Sequence, residues 1–174
     1  MAISFVVETG AGLANATSYL SVEEADGLIE IDFLRSSKWD ALTVEADKEK
    51  WLVYATRWLD RMIGWHGAKA TTIQALEWPR KRMRDKNGND IGEGVVPIEV
   101  KQAVVEVVLF HLTAPVFDDL PFDPSRIRRF RADTFEVEFQ DGTMFQSYPD
   151  DLRLILLGLS YDRGGIGFKK IKRV

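Results

Sequence analysis

The sequence predicts a mainly α fold: a small helical bundle of three main helices plus a short C-terminal helix, with a β-hairpin near residues 135–146 and extended N- and C-terminal arms. Three observations predict it. Apolar residues recur at helical spacing in three stretches, around residues 22–33, 51–63 and 98–112. Phe135-Glu136-Val137-Glu138-Phe139 alternates with period two and meets Asp141-Gly142, a strong hairpin turn, with Thr143-Met144-Phe145 beyond it as the returning strand. Both ends are glycine-interrupted and lack periodicity. At 174 residues the chain reads as one domain. Its helical core covers about 18–112, its hairpin and short helix 134–157, and its C-terminal arm 158–174.

In order, residues 3–7 form an apolar pentamer that reads as a strand pairing elsewhere or as an arm, broken by Gly10-Ala11-Gly12. Ser21-Val22-Glu23-Glu24 is a capping box: the Ser21 hydroxyl accepts a free amide and Glu24 reaches back to the Ser21 N–H. This first helix runs to about Phe33 on an apolar side of Val22, Ala25, Leu28, Ile29 and Phe33. Thr43 caps the second, with Glu45 and Asp47 at its positive end. Its stripe is Trp51, Ala55, Trp58, Leu59 and Met62, widened by Leu52 and Ile63, and Gly64 stops it. Pro97 opens the third helix, which is apolar on most sides and therefore central; Pro115 ends it. A short helix follows over residues 150–157.

Between the second and third helices lies a long connection, residues 65–97, with little periodicity; connections of this length are often functional. Gln74 to Trp78 adds a helical turn that Pro79 ends, and residues 85–90 form a turn by composition. That turn superficially resembles a calcium loop, but its glycine stands at the fourth position, not the sixth, and Val96 occupies the twelfth. Five basic residues cluster here: Arg80, Lys81, Arg82, Arg84 and Lys86.

Composition narrows the chemistry. With no cysteine, disulfides and thiolate metal sites are excluded. The N-terminus does not read as a signal peptide, and the longest apolar run is too short for a membrane span. Net charge is −4, unevenly spread: residues 1–60 hold eleven acids and five bases, and the rest is weakly basic. Such a balance does not suit general duplex binding. His66 and His111 lack the spacing of a metal motif, and His111 reads as a helix C-terminal charge or a satisfied core residue. The pairs Asp118–Asp119 and Glu136–Glu138 read as solvated faces, and the Gly164–Gly167 cluster precedes no helix. No catalytic, cofactor-binding or metal-ligating residue is assigned, and the expectation is a protein that is not an enzyme and needs no cofactor.

Several stretches taken together carry a resemblance: Ala16-Thr17-Ser18-Tyr19-Leu20-Ser21-Val22-Glu23-Glu24-Ala25-Asp26, residues 50–60, Trp65-His66-Gly67, Gln74-Ala75-Leu76-Glu77-Trp78-Pro79-Arg80, and Val96-Pro97-Ile98-Glu99-Val100-Lys101-Gln102-Ala103. The pattern resembles a phage family labelled DnaT-like single-stranded DNA binding, and is also similar to head–tail connector, or adaptor, proteins of tailed phages. The connector resemblance implies a virion protein, met in the host cytoplasm during assembly. It would form a homo-oligomeric ring, commonly of twelve copies, beneath the portal protein and above tail completion or terminator proteins, with DNA passing through the channel and no membrane partner. On that reading Phe168 and Ile171 anchor the C-terminal arm in the portal, and Lys169, Lys170, Lys172 and Arg173 supply charge complementarity; a disordered basic end is the alternative. The DnaT-like label implies single-stranded DNA binding in replication instead. Its contacts would be Arg80, Arg82, Arg84, Arg128 and Arg129, with Trp65 or Trp78 as stacking platforms. Against it stand an ordered Trp78-Pro79 loop packed on the helices and a solvated turn over residues 80–86.

Overall fold

The computed structural model describes residues 4–32, 34–113, 129–132, 135–138 and 151–161. Its helices are α1 (Val22–Glu30), α2 (Ser37–Asp40), α3 (Glu45–Met62), α4 (Ile98–Thr113) and α5 (Leu152–Ile155). Among the described residues, eight short strands form four antiparallel pairs. The fold is therefore a helical core with small sheets attached, more mixed than the simple bundle the periodicity predicts.

α4 is the axis. Every residue from Ala103 to Leu109 is buried, including Glu106, so the helix has no solvent face along its middle. α1, α2, α3 and α5 all pack against it. Glu106 is tolerated because Arg35 donates to both its oxygens, from Nη2 to Oε2 at 2.8 Å, and Arg35 is held in turn by Asp32 at 2.7 Å. Glu106 left without that partner would cost about 1–3 kcal/mol, since the Arg35 side chain is partly in solvent.

The Ser21 capping box forms as expected: Glu24 N–H donates to the Ser21 hydroxyl at 3.1 Å and Ser21 N–H to the Glu24 carboxylate at 3.0 Å. α1 ends at Glu30, earlier than expected. Thr43 is not the cap of α3. The helix starts at Glu45 behind Val44 in an extended conformation, with no side-chain cap, and Glu45 and Asp47 occupy its first turn. Its buried stripe is rotated from the one expected: Leu52, Val53, Ala55, Thr56 and Leu59 are buried, whereas Trp51, Trp58 and Met62 are only partly so. The bulky aromatics sit at the rim, where their size covers the edge of the core.

The N-terminal segment pairs briefly, through a parallel bridge between Val7 and Ser18. The glycine break is held from within. The Glu8 carboxylate accepts the N–H groups of Gly10, Gly12 and Leu13 at 2.9, 2.9 and 2.8 Å.

The long connection is more ordered than its sequence suggests. β1 (Gly64–Trp65) pairs with β8 (Ser160–Tyr161), β2 (Ala68–Lys69) with β3 (Arg80–Lys81), and β4 (Met83–Arg84) with β5 (Asp90–Ile91). No helical turn forms over residues 74–78. The side chain of Gln74 competes for the backbone there, donating to the carbonyls of Leu76 and Pro79 at 2.9 and 3.0 Å. The turn over residues 85–90 does form. Asp85 Oδ1 accepts the N–H groups of Asn87 and Asn89 at 2.8 and 2.9 Å, with Gly88 at φ +86.

The alternating strand of the predicted hairpin forms, and one of its edges is paired. β7 (Phe135–Glu138) pairs with the preceding β6 (Arg129–Ala132), in a register that sets Arg129 opposite Glu138 and Arg131 opposite Glu136. Only two residues join these strands, and the register places opposite charges across from each other, an arrangement that favours pairing. The expected return strand at residues 143–145 and the Asp141-Gly142 turn lie outside the described residues, as do Pro115, Asp118 and Asp119. α5 is shorter than the predicted helix over residues 150–157.

Candidate nucleic-acid interface

The loop from Gln74 to Arg80 is the keystone of the surface. Tyr19, fully buried, sends its hydroxyl beneath this loop. It donates to Asp60 Oδ1 at 2.5 Å and accepts the N–H groups of Glu77 and Trp78 at 3.0 and 3.1 Å. Asp60 Oδ2 also accepts the Glu77 N–H, at 3.1 Å. Burial pushes the Asp60 carboxyl up to about 6, although the Tyr19 hydroxyl opposes that rise. Burial and the adjoining Asp60 charge push the Tyr19 phenol well above its ordinary value. The loop enters Pro79 through a cis Trp78–Pro79 peptide.

Trp78 is fully buried and Trp65 nearly so, their rings edge-on with centroids 5.7 Å apart. Neither presents a face to solvent, so neither is a stacking platform for a base; both are core. Arg80 is buried too. Its guanidinium donates to the carbonyls of His66 (2.7 Å), Gly67 (3.2 Å) and Glu77 (3.1 Å) and to the Glu77 carboxylate (2.7 Å). Arg80 is thus a clamp joining residues 66–67 to the Trp78 loop, with no donor face turned outward to a phosphate.

What the clamp displays is the hairpin beyond it. Arg82 has φ +58, in the left-handed region, at a cost of about 1–2 kcal/mol for a residue other than glycine. That insertion resets the alternation, so Arg80 and Met83 are both buried while Arg82 and Arg84 are exposed. Lys81 is half-buried and Lys86 exposed. Arg84 pairs with Asp90 at 2.9 Å, with both side chains largely in solvent, so the pair contributes little to stability. Over residues 80–91, five basic residues face two acids, Asp85 and Asp90.

Two exposed rings lie beside this hairpin. His66 and Tyr161 have centroids 5.4 Å apart at an interplanar angle of 53°. The β1–β8 pairing brings them together, with the His66 N–H donating to the Leu159 carbonyl at 3.1 Å. Gly67, next to His66, lies so close to the hairpin that a Cβ there would stand 2.2 Å from the Lys81 carbonyl oxygen. Gly158, three residues before Tyr161, packs on the Lys86 backbone, 3.3 Å from where its Cβ would stand. The rings and the basic hairpin are therefore parts of one surface. Sequence reading singled out Arg82 and Arg84 but missed the rings, because a pairing between residues 64–66 and 159–161 leaves no local signal.

The other sequence candidates fare differently. Arg129 lies in β6 and pairs in register with Glu138, but its side chain and all of Arg128 fall outside the described residues. So do Phe168, Lys169, Lys170, Ile171, Lys172 and Arg173. His111 closes α4 among Tyr54, Trp58 and Phe110, with ring centroids at 5.3, 6.0 and 5.3 Å. Burial lowers its pKa, which favours the uncharged ring over a helix-terminal charge. Among the described residues no group of three or more His, Cys, Asp or Glu could hold a metal ion, and no helix is long and apolar enough to cross a membrane.

The fold and this surface define a small helix-and-hairpin domain that presents basic side chains beside a pair of accessible rings. The chain belongs to the family described as "Putative DnaT-like ssDNA binding protein", whose model matches residues 3–174. No curated protein and no solved structure matches it. The family match agrees with the DnaT-like resemblance and overturns the connector reading. It supports no ring, portal or tail partner and no role in packaging. The motif stretches that resembled a connector belong to the DnaT-like family pattern instead.

Proposed function

We propose that this protein binds single-stranded DNA, without turning it over, through the surface formed by His66, Tyr161, Lys81, Arg82 and Lys86. The observation that carries the reading is the exposed His66–Tyr161 pair set beside the basic hairpin. Unpaired bases offer π faces to such rings, and the phosphates between them fall to neighbouring cations. A duplex hides those faces, and the net charge of −4 disfavours a broad duplex-binding face.

Fluorescence anisotropy with a labelled oligothymidylate of about 16 nucleotides tests this, at about 50 and about 200 mM salt, with duplex of equal length as competitor. The expected result is saturable binding that weakens with salt and resists duplex competition. Equal affinity for duplex, or no binding at the lower salt, refutes it.

A further inference from the structure

A separate cleft lies where the N-terminal loop, α3 and the Trp78 loop meet, with a volume of about 370 Å³. Thr17, Arg57, Asp60, Arg61 and Leu76 line it. Arg57 and Arg61 are one helical turn apart on α3, hence on one face, and both are exposed. Arg57 has no ion-pair partner among the described residues. Asp60 is the only acid in the lining, and its oxygens are engaged by Tyr19 and the Glu77 N–H. The volume falls in the range of small-ligand sites, about 300–1,000 Å³.

Two guanidiniums on one face of a helix, in a cleft whose lining also includes Ala16, Ala75 and Leu76, match a group that is anionic at one end and flat and apolar at the other. We infer that this cleft binds one nucleotide by its phosphate, held between Arg57 and Arg61 with the base against Leu76. Guanidinium forks suit phosphate oxygens. The phosphate can belong to a nucleotide of a bound strand, which rests on the proposed single-strand reading, or to a free nucleotide, which does not.

The test is amide chemical-shift mapping on the full-length protein with thymidine 5′-monophosphate, thymidine and the oligothymidylate. Thymidine monophosphate should move the resonances of Thr17, Arg57 and Leu76, and thymidine should not. Arg57→Gln, on an exposed helix face where glutamine is well tolerated, should weaken that binding about tenfold or more, as loss of a charged hydrogen bond predicts. If the oligothymidylate moves the same resonances, the cleft holds part of a strand. If only the monophosphate moves them, it is a free-nucleotide site, and the inference stands whether or not the strand binds at the hairpin. If the oligothymidylate shifts only the hairpin and the monophosphate shifts nothing in the cleft, the inference fails while the single-strand reading survives. Equal shifts from thymidine and its monophosphate overturn the phosphate recognition.

Discussion

Replacing Tyr19 by phenylalanine removes one oxygen and should cost far more than one ordinary hydrogen bond. That hydroxyl is the acceptor for the Trp78 N–H, shares the Glu77 N–H with Asp60, and donates to the Asp60 carboxylate. Without it the Trp78 N–H is orphaned in the core, at about 1–3 kcal/mol, and a buried carboxylate loses a charge-assisted bond worth about 1.5–3 kcal/mol. We expect a loss of about 3–5 kcal/mol at pH 7.5 in urea unfolding. The loss should depend on pH. Asp60 has a folded value of about 6 against 3.8 for the free group, so the folded state holds its proton more tightly. Its contribution to stability is therefore full below 3.8 and is lost as pH rises through 6, a swing of about 3 kcal/mol. Tyr19 opposes that rise, so removing its hydroxyl lifts the Asp60 value further and steepens the decline. At pH 5, where Asp60 is mostly protonated, Tyr19→Phe should cost only about 1–3 kcal/mol. A loss below about 1 kcal/mol at pH 7.5, or the same loss at both pH values, would show that the hydroxyl does not hold the loop in this way.

Other outcomes follow from the same geometry. Arg82→Gln should weaken oligothymidylate binding and reduce the slope of log affinity against log salt by about 0.7, the value for one phosphate contact on a single strand; an unchanged slope removes Arg82 from the interface. Tyr161→Ala should cost about 1–3 kcal/mol of binding with thermal stability little changed, checked by anisotropy alongside calorimetry. Trp78→Ala should destabilise by about 3–5 kcal/mol, and the tryptophan at 78 should stay unquenched by bound DNA, since its ring has no exposed face. Arg35→Ala strands Glu106 in the core and should cost about 1–3 kcal/mol by urea unfolding, below the range for a fully buried pair because the Arg35 side chain is 37% exposed.

The sequence makes local devices readable and hides distant ones. The Ser21 box, the Asp85 turn and the all-round apolar α4 are each specified within a few residues, and each forms. Thr43 carried the right chemistry for a cap but stands one residue too early, since Val44 occupies the extended position before the first turn. The pairing of β7 with β6 leaves no turn signal as loud as Asp141-Gly142, and the opposed charges of these two strands speak only once both are in register. Arg80 shows the limit most plainly. Beside four other basic residues it looks like a phosphate ligand, and only convergence of the carbonyls of His66, Gly67 and Glu77 reveals it as a buried clamp. The ring of Tyr161 becomes part of a surface only through β1.

Photo-crosslinking tests the proposed interface most directly. An oligothymidylate carrying 5-iododeoxyuridine, irradiated with the protein and mapped by mass spectrometry, should form adducts at Tyr161 and His66, with Arg82→Gln lowering the yield. Adducts confined to other aromatic residues, or a yield at Tyr161 that duplex DNA matches, would contradict it.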